Sequence, residues 1–243
     1  MTGAAPLPAV GARIPPLQRK VLRRARGACL RSAVGRSARL SRPFQEPVTG
    51  GAIRPGSLSM SPNDDPIIIV PYDPRWPEEF RAIATALRLE LGKVATRIDH
   101  VGSTAVPGLA AKDVIDIQIS VAQRTAEGRI HGPLETLGYV LHPANPDRTQ
   151  RYFREPEGRR RTHVHVRAQG SFDEQLNLLF RDFLRAEPAA AQLYASEKRS
   201  LAERFRTDRE GYVGAKEPTL WSLLVRAHSW SQKVGWSPPS SDA

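Results

Sequence analysis

From Trp76 to Leu91 the apolar residues Phe80, Ile83, Leu87 and Leu91 recur at helical spacing with Glu and Arg between them, which predicts an amphipathic helix. Asp73-Pro74 supplies its start and Gly92 its stop. Farther on the period falls to two. In "DVIDIQISV" (113–121) Ile115, Ile117 and Ile119 share one face and Asp116, Gln118 and Ser120 the other, so a strand with one polar face is expected. "THVHVRA" (162–168) alternates in the same way, His163 and His165 opposite Val164 and Val166. Shorter strands are expected at "IIIVPY" (67–72), within "VATRIDHVGS" (94–103), at "YVLH" (139–142) and at "RYFRE" (151–155), with a weaker helix over about 126–137. Beyond Gly170 the pattern is helical over 172–186, 189–206 and about 217–234, and "SPPSSDA" reads as a frayed tail. This order predicts an α+β domain over residues 61–243: about five strands, flanking helices and a C-terminal helical cluster.

A net charge of +11 suggests a polyanion binder until its distribution is read. Residues 1–60 hold 11 of the 36 Lys and Arg and a single acid, Glu46, so the remainder is nearly neutral. Arg, Ala, Gly and Pro make up 33 of those 60 residues, and no apolar period runs through them. An organellar transit peptide, a disordered basic tail and a misassigned start compete as readings. The third is favoured, because GC-rich codons encode this composition and Met60 directly precedes the patterned sequence. Nucleic-acid binding is therefore expected only through residues 1–60. The single cysteine, Cys29, lies in that segment, which excludes an intrachain disulfide. Nothing approaches the ~18 consecutive apolar residues of a membrane span, and a cytoplasmic location is expected.

The chemistry gathers in "HVGSTAVPGLAAKDVIDIQIS" (100–120) and in "THVHV" (162–166). A glycine after a strand permits a tight turn whose N–H groups can hold phosphate oxygens, and Ser103 and Thr104 add hydroxyls to Gly102. Asp116 sits mid-strand between isoleucines, where a carboxylate is costly unless paired or metal-bound. His163 and His165 share one strand face and can ligate a metal or act as acid and base. His100 is a third histidine beside the turn. Lys112, Arg151, Arg181 and Lys216 are candidates to neutralise a phosphorylated ligand. Each has a plainer reading: a small-residue loop, a solvent-facing sheet edge, two half-exposed histidines, solvating surface cations.

Together with "LLFRDFLRAEP", "YASEKRSLAERF" and "REGYVGAKEPTLW", these stretches resemble the GrpB family over about residues 66–233. The family is related to a domain fused to dephospho-CoA kinase. The resemblance implies a nucleotidyltransferase (polymerase-β-like) mixed sheet. It also implies that Gly102 and Ser103 hold nucleotide phosphates and that Asp116 binds a divalent metal (Mg, Mn or Zn), with His163 and His165 at the place of a later-strand ligand. Gln118 departs from that pattern, which wants a second carboxylate there. Imidazole suits Mn or Zn better than Mg. Two functions stay open: a metal-dependent nucleotidyl or phosphoryl transferase acting on a small phosphorylated or nucleotide substrate, and a non-catalytic module that binds a nucleotide or CoA-type ligand.

Overall fold

The computed structural model describes residues 66–122, 128–143 and 150–243, so the readings of residues 1–60 lie outside it. Five strands form one sheet in the order β1-β2-β5-β4-β3. They are β1 (Ala95–Val101), β2 (Ile115–Val121), β3 (Val140–Leu141), β4 (Arg151–Arg154) and β5 (Thr162–Ala168). β2 and β5 run parallel, and the other neighbours pair antiparallel. A parallel neighbour needs a crossover, which the segment carrying α2 (Gly128–Thr136), β3 and β4 supplies. The α+β sheet of five strands is thus as the periodicity predicts.

Alternation decides the layers. Ile115, Ile117 and Ile119 of β2 and Val164 and Val166 of β5 are fully buried against α1 (Trp76–Leu91) and α2. Each large apolar side chain removed from water contributes about 1.5–3 kcal/mol, so a slip of one residue in either strand would forfeit this layer. The other face is covered by α3 (Phe172–Ala186), α4 (Pro188–Arg204) and α5 (Arg209–Val234). These helices share a second core in which Phe183, Tyr194, Leu223 and Ala227 meet Val106 and Leu109 of the loop after β1. Among the described residues no helix is long and apolar enough to cross a membrane.

Three expectations need correction. "IIIVPY" is not a strand: only Val70 bridges to Ala111, through bonds of 2.8 and 3.0 Å. Pro71 has no N–H to continue the ladder, and Ile67 turns instead into a small core with Leu201 and Tyr212. The last helix begins at Arg209 rather than near 217, because Asp208 accepts the Gly211 N–H at 2.8 Å and caps it. Pro218 removes one main-chain bond from that helix, and burial of Tyr212, Leu223 and Ala227 on either side carries it through. The tail does not fray. Its Ser241 hydroxyl accepts the Ile98 N–H at 2.8 Å, and Asp242 Oδ2 accepts the His100 N–H at 2.9 Å. Ala243 N–H donates to Ile98 O at 3.1 Å. The unpaired polar groups of the β1 edge thereby acquire partners.

Candidate metal and phosphate site

The parallel register sets Asp116 beside His163 and Gln118 beside His165. With a side-chain period of two, Asp116 and both histidines reach the same face. Asp116 Oδ1 lies 3.1 Å from His163 Nδ1 and 3.7 Å from His165 Nε2. The three donor atoms fall within 4.8 Å of one another. The turn after β1 closes on them. Gly102 has φ 72° and ψ −170°, a conformation essentially reserved for glycine. A Cβ there would stand 2.9 Å from Asp116 Cβ and collide with the carboxylate, so glycine is also what lets the turn lie against Asp116.

The protons argue for a cation. His165 Nδ1 is 2.8 Å from Gln150 Oε1, an acceptor, so Nδ1 carries the hydrogen and the Nε2 lone pair faces Asp116. Burial pushes the His165 imidazole down, against taking a second proton. Burial alone would raise the Asp116 carboxyl, but its contacts with His163, first, and His165 hold it well below the usual carboxylate range. A carboxylate and an imidazole lone pair thus confront each other, and His163 Nε2 is buried with no partner among the described residues. Ligand atoms about 2.0–2.2 Å from one ion are about 3.0–3.6 Å apart, close to the 3.1 and 3.7 Å that separate Asp116 from the two histidines. A histidine whose other ring nitrogen donates to a fixed oxygen is the usual outer support of such a ligand. Tyr152 packs against both rings at 5.4 and 5.3 Å.

Ser103, Asp116 and Tyr194 line two cavities at once. The smaller, about 150 Å³, is bordered by Lys112, Lys198, Tyr212 and Lys216. The larger, about 260 Å³, is bordered by His165, Asn177, Phe180 and Leu220. Lys112 Nζ sits 4.3 Å over the Tyr212 ring and Lys216 Nζ 5.5 Å from it. Burial, then the charges of Lys216 and Arg209, push Lys112 down to about 8. Lys112 and Lys216 on one recess suit an anion of the size and charge of phosphate.

Asp116, His163, His165, Gly102, Ser103, Lys112 and Lys216 are therefore brought together. His100 is turned inward, and Thr104, on the border of the smaller cavity, spends its hydroxyl on the interior. The His100 ring stacks on Phe80 at 4.7 Å, its Nε2 meets Thr104 Oγ1 at 3.0 Å, and that hydroxyl donates to Val114 O at 3.0 Å. These two brace the turn from behind. Arg151 is exposed on β4 opposite Val166 and is not among the residues lining either cavity. Arg181 is fully buried. Its Nε bonds Asp182 at 2.8 Å, and Nη1 bonds Asp242 at 2.8 Å and His100 O at 3.1 Å. Its Nη2 has no hydrogen-bond partner among the described residues, and the residue borders the larger cavity, away from the lysines. Gln118 is buried beneath α3: its amide donates to Glu174 O at 3.2 Å and accepts from Asn177 at 2.8 Å. The residue standing where a second carboxylate was wanted therefore anchors a helix.

Burial pushes His100 down to about 3 from the usual 6.5, so it is neutral in the fold. Its contribution to stability is complete above 6.5 and is lost as pH falls toward 3. Between pH 7.5 and 4.5 this amounts to about 2–3 kcal/mol. Urea unfolding at the two pH values should show that extra loss in the native chain and not in His100→Gln. Equal losses would show that His100 protonates freely in the fold.

Sequence reasoning missed Lys198, Tyr194, Tyr212 and Gln150. A signal for the first was present. Ala190, Ala191, Tyr194, Ala195, Leu201 and Ala202 form the buried stripe of α4, and Lys198 falls in phase with it. Gln150 carries no such mark, since its role depends on a loop conformation.

Comparison with known proteins agrees with this architecture. A family model described as GrpB protein matches residues 66–226. A Pseudomonas aeruginosa protein, UPF0157 protein PA4798, is 45% identical over 170 residues, covering 68% of this chain and 69% of that protein. A dephospho-CoA kinase from Mycolicibacterium paratuberculosis is 37% identical over 198 residues, covering 71% of this chain but 49% of the kinase, so the chain spans about half of that relative. The crystal structure of conserved protein GrpB from Enterococcus faecalis superposes with a TM-score of 0.61 at 30% identity, covering 66% of this chain and 96% of that one.

Proposed function

The chain belongs to the GrpB family, and from that premise we propose that it is a nucleotidyltransferase-like enzyme of metal-dependent phosphoryl or nucleotidyl transfer. Its substrate is a small phosphorylated or nucleotide molecule. The observation that carries the reading is a juxtaposition: the Asp116, His163 and His165 group and a recess bordered by three lysines meet at Ser103. Asp116, His163 and His165 would hold the ion, with Mn or Zn favoured over Mg by two imidazoles and one carboxylate. A bound ion supplies Lewis acidity toward a phosphoryl oxygen.

The chain's own residues do the remainder. Lys112 and Lys216 neutralise phosphate oxygens in the smaller cavity, Gly102 keeps the turn against Asp116, and Gln150 holds the His165 tautomer. A two-ion arrangement needs several carboxylates and is not carried over, because Gln118 is committed to α3. Kinship with dephospho-CoA kinases supports a nucleotide-type ligand.

A thermal-shift series tests this on the full chain with Mg²⁺, Mn²⁺ or Zn²⁺, each with and without nucleoside triphosphates and CoA precursors. Stabilisation by Mn²⁺ or Zn²⁺, enlarged by a ligand and lost in Asp116→Asn, is expected. Ligand stabilisation that ignores both the metal and the substitution would establish instead a binding module for a nucleotide or CoA-type molecule.

A further inference from the structure

We propose that Ser103 and Lys198 are a nucleophile and its general base, which pass a phosphoryl group through a covalent seryl intermediate. The inference deepens the reading above and takes from it only the substrate class, a phosphate ester or anhydride.

Lys198 is 3% exposed, and lysine is almost never buried so fully without a paired charge. No carboxylate among the described residues stands at ion-pair distance from it. Its Nζ instead touches Ser103 Oγ at 2.9 Å and Ala110 O at 2.6 Å, and lies 4.7 Å from the centre of the Tyr194 ring. Nζ donates to Ala110 O and to Ser103 Oγ; in the free-base form it keeps the Ala110 bond and its lone pair takes the Ser103 hydroxyl across the same 2.9 Å. Nucleophile and base thus stand within the 2.6–3.2 Å reach that proton transfer requires.

Ser103 opens onto both cavities, directly after the Gly102 turn. The groups facing Lys198 favour the free amine. Burial acts first, then Lys216 and Arg199, with Lys112 in the same direction and Asp116 opposing, and the amine is pushed down to about 7. A buried lysine of this kind serves as a base near neutrality. His163 Nδ1 is engaged with Asp116 and its Nε2 has no hydrogen-bond partner among the described residues, so Lys198, not His163, stands at hydrogen-bond distance from Ser103.

In the first step the Ser103 Oγ–P bond forms as the bond from phosphorus to the leaving oxygen breaks. The hydroxyl proton passes to Lys198 and then to the leaving oxygen. In the second step the oxygen of water, or of an acceptor alcohol, bonds to phosphorus as the Oγ–P bond breaks. Its proton returns through Lys198 to Ser103. Lys112 and Lys216 face the phosphoryl oxygens from the same cavity.

The test treats the full chain, with EDTA present, with a fluorophosphonate probe, whose P–F bond breaks as the seryl bond forms. One adduct mapping to Ser103 is expected, with a rate that rises through about pH 7 and then levels. Ser103→Ala should take no adduct. Lys198→Arg holds a fixed charge and cannot accept the proton, and should label at least about 100-fold more slowly. No adduct, an adduct elsewhere, or native labelling by Lys198→Arg would overturn the pair. Should Lys198→Arg fail to fold, the pH profile of the native chain decides, because a serine without a base gives a rate that climbs with hydroxide and never levels. Metal binding without Ser103 labelling sinks this inference alone, and labelling without metal binding sinks the metal reading alone.

Discussion

Arg181→Leu is expected to destabilise the fold by about 3 kcal/mol and to lower the melting temperature by about 10 °C. The guanidinium joins three parts of the molecule. From α3 it reaches the β1 main chain at His100 O, the tail through Asp242, and its own helix through Asp182. It also lies 3.9 Å from Asp99, which is fully buried and bonded to Arg97 at 2.8 Å. Leucine fills much of the volume but leaves carboxylates facing a low-dielectric interior with one cation fewer. The low end of the range for a broken buried pair applies, because Asp242 and Asp182 keep 27% and 14% of their side-chain exposure and water can reach them. Thermal and urea unfolding of the two proteins measure the difference. Arg181→Lys should recover part of it, since an ammonium keeps the charge but cannot span three acceptors. A variant as stable as the native chain would show that Arg181 is not what ties the tail and α3 to β1.

Asp116→Asn should weaken Mn²⁺ or Zn²⁺ binding by more than about 100-fold, beyond the 10–100-fold typical of losing an outer partner. The amide keeps the shape and leaves the Gly102 turn in place, so the fold should survive. It removes the only anionic donor of the group, and two neutral imidazoles then face the ion alone. Gln150→Ala is the graded comparison. It leaves all three ligands and removes only the oxygen that orients His165, so a loss of about 10–100-fold is expected. Isothermal titration with each metal reads both. Equal affinity in Asp116→Asn and the native chain would place the metal elsewhere or nowhere. Converting Gln118 to Asp is not expected to build a second ion site, because that side chain lies under α3, against Glu174 and Asn177.

The site was legible in the sequence where it depends on strand period and on the residue type a conformation demands. Asp116, His163 and His165 could be assigned to polar faces because a strand alternates, and Gly102 to a turn because a glycine follows a strand. His100 and Thr104 look equally good in one dimension, being polar and adjacent to the turn. Nothing local shows that the imidazole stacks beneath Phe80. Arg181 and Lys198 are both long basic side chains on buried helix faces, and the sequence does not say what each one meets. One is consumed by carboxylates from the tail and its own helix, and the other is left facing a serine.

The sequence by itself determined the order of the five sheet strands and the helices between and after them, the two-layered burial of β2 and β5, and the three residues on their polar faces, since all of these follow from local periodicity and a one-dimensional pattern of apolar residues. Only the tertiary structure decided which of those polar residues work together. The parallel pairing of β2 with β5, across a crossover of some forty residues, sets Asp116 rather than Gln118 beside His163. The packing of α3 on that face consumes Gln118, and the seating of α4 brings Lys198 to Ser103. Each of these depends on which surfaces meet, and a free-energy balance summed over distant side chains is not written in any short stretch of the chain.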